Sequence, residues 1–212
     1  MIGYFPKVSA ASLFHWGTMK EENINKSGFS QEGNNLSLSE CPDSWSKLLK
    51  LKCGDKLFSF SKANGVFVDI LALLNDASYI NLREKLRSLA FSEGLIKQET
   101  LYKVEYEDSE TEQIMFMVFE SKDEAYNEAY DEEDVSQTLI NVGTQELIDR
   151  LGISKDLARI RGEEYAYIEL IKKNIDVDGI FWGYENDINI YSLPLYCIFP
   201  SKVSEWSYKE VK

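Results

Sequence analysis

The chain has 212 residues, of which 44% are hydrophobic and 13% aromatic, enough to bury a sizeable core in one domain spanning 1–212. No apolar run approaches the roughly 20 residues a membrane helix needs, and the N-terminus lacks a basic segment followed by an apolar core, so the expectation is a cytoplasmic protein with no membrane partner. The net charge of −13 argues against nucleic acid only at first sight, because Glu105 to Asp134 holds thirteen acidic residues and one basic, Lys122, leaving the remainder almost neutral.

The elements follow in chain order. Leu13-Phe14-His15 ends a short apolar run that predicts a strand over about 11–15, and Leu36 and Leu38 alternate with Ser37 and Ser39 to predict a second over about 35–39. Gly33-Asn34-Asn35 is a turn between them. Pro42-Asp43-Ser44 opens a helix through Trp45, Leu48 and Leu49, and Leu57-Phe58-Ser59-Phe60 reads as a third strand closed by an Asn64-Gly65 turn. Leu82, Leu86 and Leu89 share one face of a helix over about 81–93, which leads into a hairpin of strands 101–107 and 114–119. Tyr126, Ala129 and Tyr130 recur at helical spacing through the acidic run, so about 100–140 is an acidic α/β insertion. Thr144 and Ser154 each open a further helix, the second carrying Leu157, Ile160, Tyr167, Ile168 and Ile171. The chain closes in β structure over Asp178 to Trp182, Leu195 to Phe199 and Glu205 to Tyr208.

His15 is the only histidine, which limits the chemistry sharply. A nucleophile–histidine site would have to use it, yet no Gly-x-Ser-x-Gly elbow or cysteine-protease signature accompanies it. Cys41, Cys53 and Cys197 are odd in number and far apart, which fits free thiols in a reducing compartment and gives neither a disulfide framework nor a metal site. There is no Gly-x-Gly-x-x-Gly and no phosphate loop, so a dinucleotide would bind outside the Rossmann manner. Taken singly, His15 is a packed residue, Trp45 a core residue, Ser37 and Ser39 the wet face of a strand and Glu185 a solvated turn. Their order along the chain joins them.

Phe14-His15-Trp16-Gly17-Thr18, the loop to Gly33, the Leu36-Ser37-Leu38-Ser39 strand and the Trp45 helix resemble the front half of an ADP-ribosyltransferase domain of the diphtheria-toxin and poly(ADP-ribose) polymerase type. Gly179-Ile180-Phe181-Trp182-Gly183-Tyr184-Glu185 is similar to the segment that carries that family's glutamate, and Leu195 to Pro200 resembles the last core strand of small bacterial and phage members. Two departures stand out. Trp45 occupies the place of the usual tyrosine, for which Tyr79 is the alternative, and Trp16 lengthens the family's His-Gly-Thr by one residue.

The resemblance implies an α+β fold with a split mixed or antiparallel sheet, surrounding helices and the acidic insertion. It implies NAD as substrate, held by His15, Trp16, Gly17, Thr18, Asn35, Ser37, Ser39 and Trp45, with Glu185, or Asp187 beside it, as the catalytic carboxylate and no metal. The implied activity is transfer of ADP-ribose to an intracellular protein or nucleic acid, in the manner of a toxin or host-modifying effector with a neutralising partner protein. The competing expectation is an acidic binding or inhibitor protein with the same shell and no catalysis, acting through Glu105 to Asp134.

Overall fold

The computed structural model describes residues 3–17, 19, 34–41, 56–107, 114–129, 135–182 and 196–211. The chain is α+β. Its strands are β1 (Lys7–Gly17), β2 (Leu36–Leu38), β3 (Lys56–Asp69), β4 (Ile96–Glu107), β5 (Ile114–Phe119), β6 (Val135–Gly143), β7 (Gly179–Phe181), β8 (Tyr196–Ile198) and β9 (Ser207–Glu210). The helices are α1 (Ile70–Asn75), α2 (Ile80–Ser92), α3 (Lys122–Glu128), α4 (Gln145–Leu151), α5 (Lys155–Ile160) and α6 (Gly162–Asn174), with 3₁₀ turns at Ala77–Tyr79 and Pro200–Glu205.

Six strands form one mixed sheet in the order β1-β3-β7-β8-β2, with β9 on the free half of β3. Among the described strand pairs only β3 and β7 run parallel, and everything from α1 to α6 lies in the crossover between them. A paired bridge from Phe14 of β1 to Ser39, just past β2, joins the two ends of this order, so the five strands close into a ring. Alternation along the strands then sends side chains to two cores. Phe67, Phe181, Tyr196 and Ile198 join Leu13, Leu38, Phe58, Phe60 and Trp206 within the ring, whereas Val68, Ile180 and Cys197 point into the helical layer. There α6 is buried over most of its circumference, through Tyr165, Ala166, Tyr167, Ile168, Leu170 and Ile171, as expected of a central helix.

The predicted turn at Asn64-Gly65 is instead the middle of one 14-residue strand. The pairing of β1 with β3 slips between Ala10 and Ser12, so that Lys62, Ala63 and Asn64 bulge opposite Ala11 and the strand continues past them. Gly65 sits where a Cβ would come within 2.5 Å of the Ala10 carbonyl and of the Trp206 ring, so glycine here serves close packing and not reversal. The helix expected from Ser154 is two helices. Ser154 caps α5 through its Oγ to the Leu157 amide, but Arg161 leaves helical geometry at φ −123° and ψ 30° and turns its guanidinium onto Glu164.

The expected hairpin at 101–119 is present but belongs to a three-stranded antiparallel sheet, order β5-β4-β6, whose third strand reads as polar in sequence. Its base merges with the helical core through Leu95 and Ile96, and its far part keeps a small cluster of Leu101, Val118 and Val142. The helix predicted around Pro42 to Leu49 lies outside the described residues. Among the described residues no helix is long and apolar enough to cross a membrane.

Candidate functional site

Ring closure brings the two halves of the first sequence motif together. Phe14 and Ser39 exchange backbone hydrogen bonds of 2.8 and 2.9 Å, which sets β1 beside β2 and places His15 next to Ser37. His15 Nδ1 then lies 2.9 Å from the Ser37 carbonyl oxygen. A carbonyl only accepts, so Nδ1 carries the proton and Nε2 of the neutral ring is left as an acceptor. Burial holds the imidazole below its ordinary value of 6.5, opposed by the bond to Ser37, so the ring is neutral at physiological pH. Phe58, directly across β3 in register, presents a ring whose centroid is 6.5 Å from that of His15.

Gly17 completes the arrangement. Its φ of +142° is one that side-chain-bearing residues rarely adopt, and a Cβ there would stand 3.0 Å from His15 Nε2. A side chain at residue 17 would therefore crowd the acceptor edge of the histidine, which glycine leaves uncrowded.

β2 is steadied from the helical side. The Asn34 amide donates to the Leu151 carbonyl at 2.7 Å, and Asn34 Nδ2 donates to the Arg150 carbonyl at 3.4 Å, so the last turn of α4 fixes the entry to the strand. Asn35, the next residue, is 4% exposed. Ser39 is 1% exposed, and its Oγ accepts from the Cys41 amide at 2.9 Å, so its hydroxyl organises the chain leaving β2. Ser37, half-buried, contributes its carbonyl to His15. Trp16 is half-buried beside them. Thr18, Trp45, Glu185 and Asp187 lie outside the described residues. The alternative aromatic, Tyr79, packs against the helical core and not with the Phe58 cluster that flanks His15.

Two buried carboxylates went unread in the sequence. Asp178, 3% exposed, accepts from Lys62 Nζ at 2.6 Å, Trp206 Nε1 at 3.0 Å and the Val66 amide at 2.8 Å, fastening β7 to the bulge in β3 and to the turn before β9. Glu164 accepts two bonds from Arg161, at 2.7 and 2.5 Å, and one from Trp182 Nε1 at 2.7 Å, tying the end of β7 to α6. Trp182 stands three residues before Glu185 in the chain. The i,i+3 spacing of Arg161 and Glu164 was a visible signal for the second, whereas Asp178 reads locally only as the start of a strand, and its partners Lys62 and Trp206 lie 116 and 28 residues away. A third cluster is half-buried: Glu163 takes Arg87, Asn141 and the Tyr167 hydroxyl, and these partners hold its carboxyl below the usual range against the opposing effect of burial.

Among the described residues no group of three His, Cys, Asp or Glu side chains is placed to hold a metal ion. No protein-family model, curated protein or solved structure matches the chain.

Proposed function

We propose that the protein transfers ADP-ribose from NAD to an intracellular macromolecule, on an ADP-ribosyltransferase-like fold. The observation that carries this reading is the juxtaposition of His15, Ser37 and Gly17: a neutral imidazole with its Nδ1 proton committed to backbone and its Nε2 acceptor left uncrowded by a glycine. Such an edge suits a ribose hydroxyl, which donates to Nε2 without bringing charge. In this reading the backbone at Gly17 and Thr18 holds the nicotinamide amide, Trp45 offers its face to the nicotinamide ring, and Asn35, Ser37, Ser39 and Trp16 line the dinucleotide.

Glu185 carries the chemistry. Cleavage of the bond between ribose C1′ and the nicotinamide nitrogen sends the electron pair to nicotinamide and leaves an oxocarbenium-like centre, which a carboxylate at the ribose hydroxyls stabilises. The acceptor's nucleophile then forms a bond to C1′ and loses its proton. Protein and nucleic acid are both acceptors in keeping with a nearly neutral remainder of the chain. The reading extends to a role as a toxin or host-modifying effector in the cytoplasm, held in check by a neutralising protein.

Incubation with whole-cell extract and NAD labelled in its adenylate phosphate tests the proposal. Label should reach a macromolecule with the wild type and not with Glu185→Gln, and protease or nuclease digestion should release it according to the acceptor. Absence of both label and free nicotinamide, with folded protein and several extracts, would rule the transferase out.

A further inference from the structure

The face of the sheet that carries His15 continues onto the last strand. Residues directly opposite in an antiparallel pair share a face. The register sets Phe60 between Leu13 and Tyr208, Phe58 between His15 and Glu210, and Lys56 opposite Gly17, so Tyr208 and Glu210 of β9 lie on the same face as His15 and Gly17. β9 is fastened at both ends. Trp206 just before it is buried in the ring core with Nε1 donating to Asp178 at 3.0 Å, and the Val211 amide just after it donates to the Leu57 carbonyl at 2.8 Å. Between these anchors the Tyr208 ring lies stacked on Phe60, centroids 5.2 Å and planes 20° apart, and meets Phe58 edge-on at 6.2 Å and 73°. Phe58 and Phe60 are buried, whereas Tyr208 is 51% exposed. The core thus backs the ring on one side while half of the side chain meets solvent.

An aromatic ring fixed from behind on an anchored strand is a platform for a second flat ring. Covering Phe60 would not by itself need one, since an aliphatic side chain does the same. The neighbouring charges are satisfied: Glu210, the next residue of β9 on this face, pairs with Lys56 at 2.7 Å. Distance then selects the ligand. Two strand spacings, about 10 Å, separate β1 from β9, and a nucleoside spans that gap from a ribose hydroxyl to the far ring of its base. A ribose whose hydroxyl donates to His15 Nε2 therefore sets its base over Tyr208. With the nicotinamide ring assigned to Trp45 and the Gly17 backbone, the base left for Tyr208 is adenine, an uncharged double ring with the larger face to stack.

We infer that Tyr208 is the stacking platform for the adenine ring of NAD, an inference that rests on the proposed reading of His15 as a ribose ligand. The full chain is titrated calorimetrically with NAD, adenosine monophosphate and nicotinamide mononucleotide, as wild type, Tyr208→Leu and Tyr208→Phe. Tyr208→Leu should bind NAD and adenosine monophosphate roughly tenfold more weakly and nicotinamide mononucleotide as wild type does. Tyr208→Phe should bind all three as wild type, because the ring face and not the hydroxyl is used. Leucine still covers Phe60, so circular dichroism and Tm of Tyr208→Leu should match wild type. In turnover, Tyr208→Leu should raise KM for NAD roughly tenfold and leave kcat within about twofold. The inference is overturned if wild type does not bind adenosine monophosphate, if Tyr208→Leu binds it and NAD as wild type does, if Tyr208→Phe loses as much as Tyr208→Leu, or if nicotinamide mononucleotide is weakened as well. Binding of NAD that depends on the Tyr208 ring, with no nicotinamide released, would uphold the platform and remove the transferase reading alone.

Discussion

In and beside the strand ring, two buried carboxylates among the described residues are each met by partners: Asp178, just before β7, by Lys62 and Trp206, and Glu164 of α6 by Arg161 and Trp182. In the three-stranded sheet the charges of β4 fall on its odd-numbered positions, and the other face is left uncharged and partly open. The first region is held by paired buried charge, and the second by uncharged side chains that are buried at Ile96 and Val104 and open at Leu139 and Tyr106. Leu139 and Tyr106 lie on the three-stranded sheet and His15 in the ring, so substitutions in one region should leave the other intact.

The largest effect expected is chemical. Glu185→Gln should lower NAD turnover at least about 10²-fold, the scale of removing one electrostatic stabiliser of a transition state, whereas Leu139→Ser with Tyr106→Ser should leave nicotinamide release within about twofold of wild type. Loss of turnover in both would show that the two regions are one site. Next comes stability. Asp178→Ala should cost about 3 kcal/mol by leaving Lys62 and the Trp206 indole N–H without their shared acceptor, measured by chemical denaturation, while Leu139→Ser should cost less than about 0.5 kcal/mol.

A smaller effect separates the two regions by pH. Burial lowers the His15 pKa below its ordinary 6.5, so the unfolded chain binds more protons there than the folded one. The contribution is complete above 6.5 and is lost as pH falls through the folded value. The stability difference between wild type and His15→Gln should therefore shrink on acidification below that point. Subtraction of the two denaturation curves cancels the carboxylates common to both, and a pH-independent difference would mean that the imidazole is not held neutral.

How much of this was legible in the sequence follows from the range of the interactions. The α+β class, β1, β2, the α2 helix and the β4–β5 hairpin all rest on local periodicity, and each was readable. The pairing of His15 with Ser37 was suggested only by the order of two motifs, because the bond spans 22 residues. β6 was missed because its Ser136-Gln137-Thr138 run is polar and its Leu139 faces outward, so neither alternation nor an apolar run marked it. The Asn64-Gly65 bulge misled for a related reason. A dipeptide that favours reversal was overruled by β1 on one edge of β3 and by β9 and β7 on the other.

The central claim concerns the uncrowded acceptor edge of His15, and the most direct measurement is release of nicotinamide from NAD by wild type, Gly17→Val and Glu185→Gln side by side. The account predicts release by the wild type, with Gly17→Val raising KM because its side chain crowds Nε2, and with Glu185→Gln lowering kcat instead. No release by the folded wild type, or a Gly17→Val enzyme with unaltered KM, would contradict it.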